Sequence, residues 1–296
     1  MKKELILDES AQILSQEERL SYFDNGYVVA KSFLEQDWLS ELRKGYQDAL
    51  DRSRQYNDSN DWFSLDSQHT QDSPRVTRIE KLADQDPVFW DFAKNSQLAD
   101  LGSDVLGPDV VYRDSMINVK CPGQGGAVKW HQDFPFYPHT NTGTIQILIA
   151  LYDIPMQQGP LQVVRGSHHG PIFEHYDDLE NWTGQLKSND VDSLDNDNIV
   201  TLTCDAGDAI VLHPLTVHSS GPNNSEFNRP LLIHGLSAAD ARSYTPMTWG
   251  NSHTGELVRG KPARYSHHEA LCVRLPPDWS EGYTSIFEHH NKAGRN

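Results

Sequence analysis

Three metal-binding side chains give this sequence its clearest chemical signal. His131 and Asp133 form an H-x-D motif, and His218 lies much further along the chain. Two imidazoles and one carboxylate are the ligands that hold Fe(II) in non-haem oxygenases. In an extended strand, residues two apart point to the same face, so His131 and Asp133 can bind one ion while Gln132 points away. We therefore predict an iron site whose first two ligands lie on one strand.

An arginine follows His218 in a segment that predicts a returning strand. Residues 209–218 are largely apolar, Gly221-Pro222-Asn223 is typical of a turn, and residues 228–234 are strand-like again. Two strands joined by such a turn form a hairpin, which places Arg229 beside His218 across the ladder. Ser220 lies two residues beyond His218 and therefore shares its face.

The open positions of such an iron site explain why an arginine is needed there. Three protein ligands leave three coordination positions, of which a 2-oxo acid can fill two and O2 the third. The distal carboxylate of 2-oxoglutarate then needs a permanently charged bidentate partner, a role that suits Arg better than Lys. Arg229 and Ser220 are the candidates; the alternative is that they are ordinary surface and turn residues.

The order of several motifs resembles the phytanoyl-CoA dioxygenase (PhyH) family of Fe(II)/2-oxoglutarate oxygenases over roughly residues 16–240. The matching segments are 20–30, Trp130-His131-Gln132-Asp133, residues 159–168, Gly207-Asp208, His218, Gly221-Pro222-Asn223 and Arg229. Gln158 and Arg165 depart from the family pattern, which has Asn and Pro at these positions. Each motif is modest alone, but their joint order is specific.

The resemblance implies a role for each residue that matches the family's main motifs. His131, Asp133 and His218 would be the iron ligands. Arg229 with Ser220 would hold the distal carboxylate of 2-oxoglutarate. Halogenating relatives carry Ala or Gly in place of the carboxylate ligand, so Asp133 implies hydroxylation, or a related oxidation such as desaturation or ring closure. Oxidative decarboxylation of 2-oxoglutarate would yield succinate and CO2.

Four further residues are weaker candidates for the same pocket. In relatives, a polar residue on the strand before the metal motif approaches the cosubstrate, and Asn118 or Lys120 is the match here. Gln132 and Arg78 are candidates for the substrate side. Each of these four has an alternative interpretation as an ordinary strand or surface residue. His213 competes with His218 as the distal ligand, but its spacing to the turn departs from the family pattern.

The hydrophobic pattern predicts helices that flank a mainly β core. Amphipathic helices are expected at 16–23 and 37–54, with one or two more in 87–106. Strands are expected at 110–120, 126–133, 144–153, 161–164, 199–203, 209–213, 215–219 and 230–236. Roughly eight strands with metal ligands on two of them predict a double-stranded β-helix, the cupin-like jelly roll. We expect one domain over residues 1–296, with a helical N-terminal region over residues 1–108, a jelly-roll core over 109–237 and a C-terminal extension over 238–296.

Bulk composition agrees with a soluble enzyme, which we expect in the cytoplasm. The formal net charge of −17 argues against nucleic acid as a partner and mildly favours a neutral or cationic substrate. The three cysteines are odd in number and widely spaced, which indicates a reducing compartment. No apolar run is long enough for a signal peptide or a membrane span. We expect a monomer or a homodimer.

Two alternative functions remain open from the sequence. A non-redox cupin-like metal-binding protein could use the same ligands, but it has no reason to keep Arg229 and Ser220. An acyl-CoA hydroxylase of the same family is the other alternative. The chain shows no basic cluster suited to CoA phosphates, so we favour a free amino acid or a secondary metabolite, and ectoine itself does not fit residues 136–139. The acidic segment 177–197 is interpreted as a solvated insertion or a flap over the site.

Overall fold

Two antiparallel β-sheets facing each other form the centre of the molecule. The computed structural model describes residues 3–123, 126–247 and 249–279. The strands are β1 (Tyr27–Ala30), β2 (Phe63–Leu65), β3 (Val76–Ile79), β4 (Val110–Lys120), β5 (Val128–His131), β6 (Thr144–Ala150), β7 (Leu161–Val164), β8 (Ile199–Leu202), β9 (Ala209–Leu212), β10 (His218–Ser220), β11 (Arg229–Ala238) and β12 (Leu257–Arg259). The larger sheet has the order β1-β9-β6-β11-β4-β3-β2, with β12 pairing to β4, and the smaller sheet has the order β5-β10-β7-β8. The predicted jelly roll is confirmed.

Alternating side chains on the larger sheet build two separate cores. On β6, Ile145, Ile147 and Ile149 pack against the helical layer. Leu148 and Ala150 point the other way and pack in the space between the sheets. This period of two is what a strand buried on both faces requires. Each fully buried aliphatic side chain contributes about 1.5–3 kcal/mol to the stability of the fold.

Helices cover the outer face of the larger sheet. The described helices are α1 (Lys3–Asp8), α2 (Gln16–Asn25), α3 (Gln36–Ser53), α4 (Leu82–Gln85), α5 (Pro87–Asn95), α6 (Leu98–Leu106) and α7 (Ser188–Asp192). Of these, α7 lies apart in the acidic segment 177–197. In α3, the buried residues Leu39, Leu42, Tyr46 and Ala49 recur at helical spacing and face the sheet. Among the described helices, none is both long enough and apolar enough to cross a bilayer.

The predicted hairpin between the His218 and Arg229 segments is wrong. His218 begins β10 in the smaller sheet, whereas Arg229 begins β11 in the larger sheet. The connection 221–228 therefore crosses from one sheet to the other. A sequence of strand, turn and strand looks the same whether the chain returns within a sheet or passes to the facing one. Arg229 thus reaches the site from the opposite sheet rather than from the neighbouring strand.

The predicted placement of both H-x-D ligands on one strand is also wrong. β5 ends at His131, and Asp133 has the helical backbone angles φ −75° and ψ −35° at the start of a 3-10 helix over Phe134–Phe136. The Phe134 N–H donates to the Pro214 carbonyl at 2.9 Å instead of extending the ladder. The aromatic-proline run that follows the motif therefore turns the chain before Asp133, not after it.

The N-terminal region is less purely helical than expected. β1, β2 and β3 all precede residue 109 and extend the larger sheet at its two edges. From the C-terminal extension, β12 pairs with β4. These strands have three or four residues each, which is too short for a hydrophobic pattern to separate from a loop.

A close approach between two loops fixes the end of the cavity beside Arg229. Gly159 has the left-handed φ of +62°, and a Cβ there would overlap the carbonyl oxygen of Gly221. The Gly159 carbonyl accepts hydrogen bonds from Lys120 Nζ and Arg229 Nη2 at 3.4 and 3.2 Å. Only glycine satisfies both the backbone angle and the contact.

We predict that Gly159→Ala lowers the free energy of unfolding by about 2 kcal/mol or more, because it adds backbone strain to a steric overlap. Urea denaturation measures the change. Gly221→Ala is the matched control, since a Cβ at Gly221 meets no atom within 4 Å, and its effect should stay within about 0.5 kcal/mol. Equal losses in the two variants would contradict the close approach.

Candidate metal centre and cosubstrate pocket

Three side chains meet where β5, β10 and the turn after β5 come together. His131 and His218 are direct partners across the β5–β10 ladder, and their rings lie 4.0 Å apart between centroids. Asp133 Oδ1 lies 3.6 Å from Nε2 of each histidine. One ligand atom from each residue falls within 4.8 Å of the others. The arrangement can therefore hold a single ion with ligands on one side of it.

Hydrogen bonds to the backbone orient both imidazoles. His131 Nδ1 lies 2.8 Å from the Lys129 carbonyl, and His218 Nδ1 lies 2.8 Å from the Thr216 carbonyl. A carbonyl can only accept, so each Nδ1 carries the proton and each Nε2 presents its lone pair to the ion. These hydrogen bonds fix the orientation of each imidazole ring and raise the basicity of its Nε2, as is usual for histidine ligands. Two nitrogens and one carboxylate oxygen fit Fe(II).

Two sequence candidates lie outside this cluster. Gln132 is fully buried, but its amide binds the backbone: Nε2 donates to the carbonyls of Pro171 and Leu215, and Oε1 accepts from the Phe173 N–H. These bonds tie neighbouring loops to the metal motif and do not place Gln132 on the cavity wall. His213 packs its ring against Tyr22 at 6.1 Å and does not join the ligand group.

A cavity extends from the metal ligands between the two sheets. Arg78, Asn118, Lys120, Ser220 and Arg229 all lie on its wall with His131, Asp133 and His218. Eight of the ten candidate residues, all except Gln132 and His213, are therefore brought together. They come from both sheets, so each sheet provides part of the cavity wall.

Two buried basic side chains occupy the end of the cavity next to β10. Lys120 and Arg229 are partners across the β4–β11 ladder, and they are 1% and 4% exposed. Lys120 Nζ donates to Ser220 Oγ at 2.7 Å, while Arg229 Nε has no hydrogen-bond partner in the described ranges. Burial, and then the charge of Arg229, lowers the pKa of Lys120 to about 6. Burial lowers the pKa of Arg229 to about 10.

Within the part of the chain that the structure describes, these two basic side chains have no counter-charge. No carboxylate of these residues lies within ion-pair distance of Lys120 or Arg229, and none contributes to the shift of either pKa. A buried charge is stabilised by pairing, so this end of the cavity suits an anionic ligand. Asn118 also lines this part of the cavity, and its buried amide oxygen accepts no hydrogen bond from a described residue. A dicarboxylate with one end here and the other at the metal fits the two basic side chains.

Aromatic side chains also line the cavity, and sequence analysis did not assign them to the site. Phe136, Tyr137 and Trp249 line the wall, with Gln146 between them. Trp182, from the acidic segment 177–197, packs on Phe136 at 5.0 Å. The aromatic run directly after the H-x-D motif is a signal that could have identified Phe136 and Tyr137. Trp249 lies in the aromatic and basic C-terminal extension, for which the sequence allows packing on the barrel mouth, a subunit contact or core packing, but it does not single out this residue.

Comparisons with known proteins agree with this site. A family model described as "Phytanoyl-CoA dioxygenase (PhyH)" matches residues 22–231. The chain is 28% identical over 279 residues to a "Probable alpha-ketoglutarate-dependent hypophosphite dioxygenase" of Stutzerimonas stutzeri, covering 92% of this chain and 96% of that protein. It is also 28% identical over 180 residues to the L-proline trans-4-hydroxylase of Streptomyces griseoviridis, covering 54% and 67%.

Solved structures show the same fold. EctD from S. alaskensis with bound Fe matches with a TM-score of 0.67 and 21% identity, covering 91% of this chain and 90% of that one. The carbocyclase SnoK from nogalamycin biosynthesis matches with a TM-score of 0.63 and 22% identity, covering 79% and 87%. The protein is thus a non-haem iron dioxygenase that uses 2-oxoglutarate. The chain belongs to the phytanoyl-CoA dioxygenase (PhyH) family.

We predict that His218→Ala weakens metal binding by at least about 100-fold, because loss of a direct ligand costs no less than loss of an outer partner. Calorimetric titration of the metal-free protein with Co(II) measures the affinity. His213→Asn is the matched control and should bind Co(II) with wild-type affinity. A large loss in the His213 variant together with normal binding in the His218 variant would exchange the roles of the two histidines.

Proposed function

We propose that His131, Asp133 and His218 hold Fe(II), and that Arg229, Ser220 and Lys120 hold the distal carboxylate of 2-oxoglutarate. The observation that carries this proposal is the buried pair Lys120 and Arg229, which has no carboxylate partner among the described residues. A non-redox metal protein would gain nothing from burying two cations beside its metal. The cation pair therefore favours the dioxygenase over the cupin-like alternative.

The bound iron and 2-oxoglutarate supply the oxidation itself: O2 is consumed, 2-oxoglutarate becomes succinate and CO2, and a C–H bond of the substrate is hydroxylated or otherwise oxidised. The chain's own residues supply position and shielding. Arg229 offers a bidentate fork, and Ser220 adds a hydroxyl that Lys120 already orients. Phe136, Tyr137 and Trp249 keep bulk water from the reacting atoms.

The substrate is proposed to be a small molecule, such as a free amino acid or a secondary metabolite. Two relatives act, by their names, on hypophosphite and on L-proline. Bulky side chains, among them Phe136 and Trp249, line the cavity, which supports a small substrate. An acyl-CoA hydroxylase stays the alternative within the family.

We infer a single catalytic domain that works in the cytoplasm as a monomer or homodimer. Strands from the N-terminal region and from the C-terminal extension join the same larger sheet, which supports one domain. Cys121, Cys204 and Cys272 are all unbridged, which supports a reducing compartment. The net charge of −17 supports the absence of a nucleic-acid partner.

The proposed cosubstrate site is tested with anaerobic protein loaded with Fe(II). Addition of 2-oxoglutarate should produce the weak visible charge-transfer band of a chelated 2-oxo acid. Arg229→Ala should raise the 2-oxoglutarate concentration needed for half-maximal band intensity by at least about tenfold, since it removes charge-assisted hydrogen bonds. Arg165→Ala is the matched control, because Arg165 is exposed and contacts Asn198 on the surface. Metal binding without any band would contradict the dioxygenase.

We also predict that 2-oxoglutarate binding takes up a proton at Lys120. In the unbound protein its pKa is lowered to about 6, so most of the lysine is neutral above pH 7. A nearby dianion favours the charged form and raises this pKa, so affinity should fall as the pH rises from about 6 to about 9. Calorimetry at about pH 7.5 in two buffers of different ionisation enthalpy should give an uptake of up to about one proton. Lys120→Met should abolish it; an unchanged uptake would assign the proton elsewhere.

A further inference from the structure

Arg78 brings a second guanidinium to the cavity, away from the Arg229 end. It lies on β3, where its backbone pairs with Asn118 of β4, while Arg229 pairs with Lys120 on the other side of β4. Arg78 and Arg229 therefore flank the same strand and both line the cavity. The Arg78 side chain is 6% exposed, so its charge is almost fully removed from solvent.

Glu80, Trp249 and Met116 contact the guanidinium group of Arg78. Its Nε lies 3.3 Å from Glu80 Oε1, and its carbon Cζ lies 5.3 Å from the centre of the Trp249 ring. Nη2 meets the sulfur of Met116, a weak acceptor without charge. Nη1 makes no hydrogen bond to any residue within the described stretches of the chain. The Nη end thus keeps most of its capacity to bind an oxyanion.

The balance of charges on the cavity wall also favours an anionic substrate group at Arg78. The wall contains three basic side chains, Arg78, Lys120 and Arg229, against one carboxylate, Asp133. Asp133 belongs to the metal, and the dianionic cosubstrate takes Lys120 and Arg229. Arg78 is left with Glu80, which lies behind it and is not on the wall. A negatively charged substrate group would balance the Nη end.

Besides Asn118, its partner across the ladder, Arg78 has mostly apolar surroundings. Leu148, Leu231 and Ile233 line the wall with Trp249, and they belong to the core between the sheets. Gln146 adds a second amide: its Nε2 lies 3.2 Å from Tyr137 Oη, and its Oε1 has no partner among the described residues. A ligand that fits this lining combines an apolar body with a single polar end.

We infer that Arg78 and Trp249 form a substrate subsite for a small molecule with an apolar body and one oxyanion, a carboxylate or a phosphorus oxyanion, which Arg78 binds. This inference rests on the proposed dioxygenase function and names its substrate class. It reverses the expectation of a neutral or cationic substrate, because the local charge of the cavity, not the net charge of the chain, acts on a bound molecule. Trp249 lies beyond residues 22–231, so the subsite uses a residue outside the family match.

Binding to protein loaded with Zn(II) and 2-oxoglutarate tests the subsite without turnover. The probes are 3-methylbutanoate, 3-methylbutanamide and 3-methylbutylamine, which share one apolar body and differ in charge. Ligand-detected NMR titration should show the carboxylate binding at least about tenfold tighter than the amide, with the amine weakest. Methylphosphonate, compared with its dimethyl ester, distinguishes a phosphorus oxyanion from a carboxylate. Equal binding of charged and neutral probes, or binding of none, would overturn the inference.

Variants assign the preference to Arg78. Arg78→Gln should lower carboxylate affinity to the level of the amide while 2-oxoglutarate affinity stays within about twofold. Arg75→Gln is the matched control, since Arg75 precedes β3 and pairs with Asp66 outside the cavity. If Arg78→Gln fails to fold because Glu80 loses its partner, Arg78→Lys keeps the charge and should retain a reduced preference.

Three outcomes separate this inference from the proposed function. If Arg78→Gln weakens 2-oxoglutarate as strongly as it weakens the carboxylate probe, Arg78 belongs to the cosubstrate site and the substrate subsite is overturned. If wild-type protein with Zn(II) fails to bind 2-oxoglutarate at all, the proposed function itself fails. If 2-oxoglutarate binds and the probes are not distinguished by charge, only the substrate class is wrong.

Discussion

The burial of Lys120 and Arg229 side by side is the constraint on which the rest of the site depends. Removing an ion from water costs several kcal/mol even after the protein relaxes, and the charge of Arg229 further disfavours a charge on Lys120. The cost is visible in the lowered pKa of Lys120, about 6, for which burial is the main cause. Such a pair therefore indicates a ligand whose binding offsets this cost in free energy. A dicarboxylate that bridges the cations and the metal meets both needs.

The jelly roll explains how a bridging molecule can be held. The metal ligands come from the smaller sheet and the turn after β5, while Lys120 and Arg229 come from β4 and β11 of the larger sheet. Facing sheets pack about 10 Å apart, which leaves room for an extended five-carbon diacid between them. The crossing connection 221–228 carries the chain from one half of the site to the other. Asn223 secures it by donating to the Lys120 carbonyl at 2.9 Å.

The sequence was sufficient for the ligands and for most strands of the core. β4 (Val110–Lys120) and β7 (Leu161–Val164) begin and end where the hydrophobic pattern predicts. His131, Asp133 and His218 were identifiable because their residue types are rare in combination and because the surrounding motifs keep a fixed order. Local patterns of this kind can be recognised from the order of the residues alone, without the tertiary structure.

The pairing of strands was not predictable, because it depends on tertiary contacts. The segment that carries Arg229 looks like the second strand of a hairpin, yet it joins the opposite sheet. Asp133 reaches the metal from a helical turn instead of from a strand, since Phe134 binds the Pro214 carbonyl rather than the ladder. Trp249 joins the cavity from a stretch of the chain with no periodicity. Long-range packing decides each of these features.

A crystal structure of the protein with Zn(II) and 2-oxoglutarate tests the central claim most directly. We expect His131, Asp133 and His218 to bind the metal, with the 2-oxo acid end of 2-oxoglutarate completing the coordination of the metal. The distal carboxylate should lie within hydrogen-bond distance of Arg229 and Ser220, with Lys120 beside it. A distal carboxylate that points to Arg78 or to solvent, with Lys120 and Arg229 still unpaired, would contradict the account.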